Sequence, residues 1–142
     1  MKSFFLVICF FFCSTKIFSQ DLEGEWKGSY SHKEPYRIEE VSISFIFSKT
    51  SDSTYQAISK TFIKEGKHTD SSVCLLEGFF SKKAGLELKE IKMIKDFDNG
   101  QGCLQTMKFI FYKRKKQLVL SGEWYTQEDK CGYGTIFLTK SY

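Results

Sequence analysis

The sequence predicts an all-β fold with no substantial helix outside an N-terminal leader, and three observations carry that reading. From residue 24 onward apolar and polar residues alternate with a period of two, as in strands with one buried face. The segments between the alternating runs are short and turn-like, which joins antiparallel neighbours and leaves no room for helical crossovers. No stretch carries a sustained helical stripe with caps.

Taken in order, the alternation gives eight strands. In the first, Trp26, Gly28 and Tyr30 alternate with Glu25, Lys27 and Ser29; in the second, Val41, Ile43, Phe45 and Phe47 alternate with Glu40, Ser42 and Ser44. Thr54–Ile63, Val73–Phe80 and Leu86–Lys95 follow, then a strand on Met107, Phe109 and Phe111. Leu118, Leu120, Gly122 and Trp124 mark the seventh, and Gly134, Ile136 and Leu138 the eighth. The punctuation falls at His32–Pro35, Thr50–Ser53, Lys64–Ser71, Ser81–Gly85, Asp96–Gly102, Lys113–Lys116 and Gln127–Lys130.

A weak repeat adds curvature to this meander. Leu-x-Gly-x-aromatic occurs at Leu22–Trp26, Leu76–Phe80 and Leu120–Trp124. Each copy sets a glycine between two residues of its own face, and a strand glycine costs stability unless the strand bends or another group approaches there. Sharply coiled strands of a small closed barrel need such points. The expectation is an eight-stranded antiparallel up-and-down barrel on residues 20–142, as one domain.

Residues 1–19 read as a signal peptide. Lys2 supplies the positive start, Phe4–Phe12 the apolar core, and Ser19 the small residue before a cut that leaves Gln20 first. That apolar run is too short to span a bilayer, and no second long apolar run follows, so no integral membrane span is expected in the mature form. Setting aside Lys2 and Lys16 leaves 19 basic against 17 acidic residues, too small an excess for a nucleic-acid binder held by phosphate neutralisation. Export implies a secreted or periplasmic protein.

Gly24-Glu25-Trp26 at the start of strand one resembles the Gly-x-Trp that opens lipocalins, whose eight-stranded barrel holds a small apolar ligand. A Thr-Asp-Tyr motif and the C-terminal helix of true lipocalins are absent, and Ser31–Tyr36 is too short for the helical insert of the fatty-acid-binding relatives. Leu22-x-Gly24-x-Trp26, Cys103-Leu104, Leu120-x-Gly122-x-Trp124 and Cys131-Gly132-x-Gly134-x-Ile136-x-Leu138-x-Lys140 look like small exported lipocalin-like domains of Gram-negative bacteria. That likeness implies a fold and no mechanism.

Three cysteines remain after the leader, in a compartment where disulfides persist. Three is odd, so one bridge forms at most; Cys103–Cys131 is the expected pair and Cys74 the thiol left over. Cys74, Cys103 and Cys131 with His68 also resemble a zinc ligand set. None of them is paired within one turn, however, and the compartment favours the bridge, so no metal or cofactor is expected. Asp96-x-Asp98-Asn99-Gly100 resembles the opening of a calcium loop, but the later positions carry Gln101 and Met107 where glycine and glutamate are required. Asn99-Gly100 reads instead as a turn. Lys113-Arg114-Lys115-Lys116 reads as a solvated hairpin turn.

His32 and His68 fall in loops at opposite ends of the expected barrel, and neither accompanies a nucleophile motif. The expectation is therefore a non-enzymatic protein that binds a small apolar or amphipathic ligand. The alternative is an envelope or extracellular interaction module with a solidly packed barrel. Ligand-facing candidates are Trp26 and Trp124, with Ala57, Ser59 and Thr61, whose small side chains leave room inside if their phase points inward. Glu90 completes the set. The apolar phase of strand five switches from Leu86 and Leu88 to Ile91 and Met93. A β-bulge at Lys89–Glu90 explains the switch; without it Glu90 points inward as a buried acid that needs a partner or a ligand.

Overall fold

The computed structural model describes residues 22–33, 40–65, 68–96, 102–126, 128 and 131–141. Residues 1–19, read above as a signal peptide, and Asn99–Gly100, read above as a turn, lie outside the described residues.

Eight strands form the chain: β1 (Gly24–His32), β2 (Glu40–Lys49), β3 (Thr54–Glu65), β4 (His68–Ser81), β5 (Gly85–Lys95), β6 (Gln105–Arg114), β7 (Gln117–Thr126) and β8 (Tyr133–Ser141). Each pairs antiparallel with the next, and β8 returns to β1, so the sheet closes on itself in simple up-and-down order. Closure removes every sheet edge. Odd strands run toward one end, here the upper, and even strands run back. The lower end carries the turns at Thr50–Ser53, Lys82–Ala84 and Lys115–Lys116. The last is the expected basic turn, with Lys115 in the left-handed region at φ 53°.

The hydrophobic phase of every strand points inward. Following the register across the sheet, one inner row reads Trp26, Phe45, Ser59, Cys74, Met93, and the next reads Phe47, Ala57, Leu76, Glu90. Large residues on β1 and β2 thus face small ones on β3, and the barrel fills by complementary size. Phe45 and Phe47 stack at 5.6 Å, and Trp26 meets Phe47 and Phe111 edge-on. Leu22 is fully buried at the lower end, where its carbonyl accepts the Trp26 indole N–H at 2.8 Å. Glu23 holds this plug from both sides: its carboxylate accepts Lys49 N–H and its carbonyl accepts the Lys140 ammonium.

Two of the three repeated glycines, Gly78 and Gly122, sit where neighbouring strands crowd, while Gly24 adopts the left-handed region at φ 97°. At Gly122 a Cβ would run into the Lys108 carbonyl of β6, and at Gly78 into the Leu88 side chain and Glu87 carbonyl of β5. Close approach, the second of the two reasons for a strand glycine, applies at both.

Three expectations need correction. Lys64–Ser71 is not a loop: β3 and β4 continue to a tight hairpin in which Glu65 pairs with His68. Its residues are polar on both faces because the hairpin projects past the core at the rim, so the alternation that marks a strand is lost there. The bulge of β5 lies one residue beyond Lys89–Glu90. Glu90 pairs with Leu76 and Lys92 with Leu75, leaving Ile91 as the extra residue, and a second shift leaves Ile94. Both isoleucines consequently face outward, 44% and 56% exposed, and the inward phase runs Leu86, Leu88, Glu90, Met93. His32 and His68, finally, lie in strands and at the same end. One closes an upgoing strand and the other opens a downgoing one, so an up-and-down order brings both to the upper rim.

Candidate functional site

The seam between β5 and β6 is the weak point of the barrel wall. These strands pair only over Leu86–Lys89 with Thr106–Phe109, whereas β6 and β7 pair along their whole length. Above Lys89 the two bulges carry β5 away from β6, as an extra residue bends and twists the strand that holds it. In place of the ladder, side-chain acceptors on one side take backbone N–H groups from the other: the Gln105 N–H donates to Glu90 Oε2 at 2.8 Å and the Gly102 N–H to Asp96 Oδ2 at 3.1 Å. Just outside, the disulfide Cys103–Cys131 ties the segment before β6 to the segment before β8, with the two Cα atoms 6.2 Å apart.

Behind this seam lies a cavity of about 240 Å³ at the upper end of the barrel. Its wall is mixed: Thr61, Ser72, Cys74, Glu90, Asp96, Gln105 and Thr126 present polar groups within a lining whose larger part is apolar, and Met93, Gly102 and the disulfide lie at the seam. Tyr30 and His32 of β1 form the opposite side. Trp124, in the same cross-strand row as His32, packs against both, its ring edge-on to Tyr30 at 5.4 Å and to His32 at 4.6 Å. The Trp124 indole N–H donates to the Ser31 carbonyl at 3.1 Å. This contact depends on Gly134, because a Cβ there would meet both the Ser31 carbonyl and the indole nitrogen.

Glu90 is the chemically distinctive member. It is 9% exposed, and burial pushes its carboxyl up to about 7 against the pull of the Gln105 N–H and the Cys74 thiol. Burial and the neighbouring Glu90 in turn push the Cys74 thiol up to about 12, so it is a neutral donor rather than a nucleophile. A neutral thiol against an acid of near-neutral pKa is a site for holding polar groups.

The six interior candidates are all placed inside, but at different heights. Thr61 and Glu90 line the cavity. Ser59 is buried just below, hydrogen-bonded to Cys74, and Trp124 is buried against Tyr30 and His32 without lining the cavity. Trp26 and Ala57 belong to the packed lower core. The room that the small phase of β3 leaves is therefore taken up at Ala57 by Phe47 and Leu76 and stays open only toward Thr61. Sequence reasoning missed Tyr30, His32, Ser72, Met93 and Gln105. Ser72 adjoined an assumed loop, and Met93 was displaced by the bulge; neither residue type carried a motif.

Two of the four residues that resembled a zinc set are consumed by the disulfide. Among the described residues no group of three or more His, Cys, Asp and Glu side chains is arranged to hold a metal ion. No described helix is long and apolar enough to cross a membrane.

Fold and site together define a small closed antiparallel barrel with a cavity of mixed lining at its disulfide-bound end. Comparison with protein-family models and with curated proteins finds no match for the chain.

Proposed function

We propose that this chain is an exported, non-enzymatic binding protein of lipocalin-like type, which holds a small amphipathic ligand in the upper cavity. One observation carries the reading: a largely apolar cavity in which several polar groups converge opposite the Tyr30 and His32 rings, at a seam that the fold leaves unzipped. A mostly apolar lining with a few converging polar groups is the usual chemistry of a small-molecule site. At about 240 Å³ the space falls below the ~300–1,000 Å³ of drug-sized pockets, so the ligand is compact. The leader at residues 1–19 and a disulfide, which is consistent with an oxidising compartment, support a secreted or periplasmic location.

The interaction-module reading has the outer wall in its favour. Ile46, Ile58 and Leu75 form an apolar row there, and an open groove of about 610 Å³ lies beside Phe79 and Ile91. Native mass spectrometry of the protein purified from its own host separates the two. A retained small mass, lost when Thr61→Phe fills the cavity, supports ligand binding. A protein that carries no small molecule but co-purifies with a macromolecule through its outer wall overturns it.

A further inference from the structure

The charge of the cavity is one-sided. Among its described lining residues Glu90 and Asp96 carry carboxyl groups, and none is lysine or arginine. Asp96 accepts the Gly102 N–H at 3.1 Å near the seam. Glu90 lies deeper. Its carboxylate offers about four acceptor positions, of which the Gln105 N–H and the Cys74 thiol take two. The remaining positions belong to a group that lines the cavity, within reach of a ligand's N–H donors.

The opposite wall is aromatic. β1 lies four strands from β5 in either direction around the closed sheet, so Tyr30 and His32 stand diametrically opposed to Glu90. A cation placed between a carboxylate and aromatic faces is attracted by both. Once Glu90 has ionised, above about pH 7, an anion is repelled by both carboxylates and a neutral ligand leaves the buried charge uncompensated.

From this we infer that the cavity selects a small organic cation, an ammonium on a compact apolar body, with Glu90 as its counter-ion and the Tyr30–His32 wall receiving the body. The inference rests on the ligand-binding reading of the cavity and names its ligand class. It also couples binding to protons. The titratable groups that face Glu90 are Cys74 on β4, Asp96 after β5, and Tyr30 and His32 on β1, while β3, β6 and β7 present Thr61, Gln105 and Thr126, which do not titrate. With the Glu90 carboxyl pushed up to about 7, a ligand that requires the carboxylate binds about tenfold more tightly at pH 8 than at pH 6.

The test is calorimetric titration of the mature chain with three probes that share one ring: phenethylamine, phenethyl alcohol and phenylacetate. The expected order is amine first, alcohol at least tenfold weaker and the acid weakest, with only the amine gaining affinity between pH 6 and pH 8. Glu90→Gln should lower the amine to the level of the alcohol and abolish its pH dependence, while His32→Asn should preserve that dependence. The comparison of probes on the unmodified protein decides the matter even if a variant misfolds. Equal binding of amine and alcohol, or strongest binding of the acid, overturns the cation assignment and leaves the cavity reading standing. If none of the three shifts the amide resonances of Thr61, Ser72 and Met93, both fall.

Discussion

A single carboxyl group ties this protein's stability to pH. Glu90 is nine-tenths buried, and its folded-state pKa of about 7 lies above the ordinary glutamate value of 4.5. Between those values the unfolded chain has released the proton that the folded chain still holds, so stability falls as pH rises through that window and levels off above it. At 1.36 kcal/mol per pKa unit the loss is about 3 kcal/mol. Urea denaturation of the wild type at pH 4.5 and pH 8 should show that drop, and Glu90→Gln should remove most of it. A Glu90→Gln variant with the same pH profile as the wild type would mean that the group is solvated. The sequence posed this residue as a choice between a bulge and a buried acid. Both halves are realised, because the bulge falls at Ile91, one residue beyond the acid. Alternation alone locates a phase switch to within a residue or two, and that uncertainty decides whether Glu90 faces in or out.

Strand β3 shows what a run of small residues means once its neighbours are known. Ala57 pairs with Phe47 and Leu76, Ser59 with Phe45 and Cys74, and Thr61 with Ile43 and Ser72. Proceeding upward, the neighbours change from large and apolar to smaller and more polar, and only the top of the strand reaches open space. Ala57→Leu is therefore expected to overpack the lower core and cost about 1–3 kcal/mol. Thr61→Leu replaces void with apolar contact and should leave stability unchanged or slightly raised. Denaturant midpoints of the two variants check this. Equal destabilisation by both would place the packed core at Thr61 as well and remove the cavity. Size on one strand was legible in the sequence, but the filling of the space it leaves depends on register, which links residues far apart in the chain.

At the scale of the whole molecule, alternation and turn spacing were enough to give eight strands in up-and-down order, because a closed barrel is built from local hairpins. The rim was harder to read. There the hairpin of β3 and β4 is polar on both faces, the histidines lie in strands rather than loops, and the site is assembled from ordinary residues of β1, β3, β4, β5, β6 and β7. The disulfide and the glycines gave better signals, since each has a strict steric or covalent requirement.

The central claim is that small molecules enter the barrel at its upper end rather than dock on its outer wall. Amide chemical-shift mapping with a charge-diverse mixture of small aromatic fragments tests it without assuming a ligand. The account predicts perturbations concentrated at Thr61, Ser72, Met93 and Thr126, which line the cavity. Perturbations confined to Gln56, Glu77, Phe79 and Ile91 on the outer groove would contradict it.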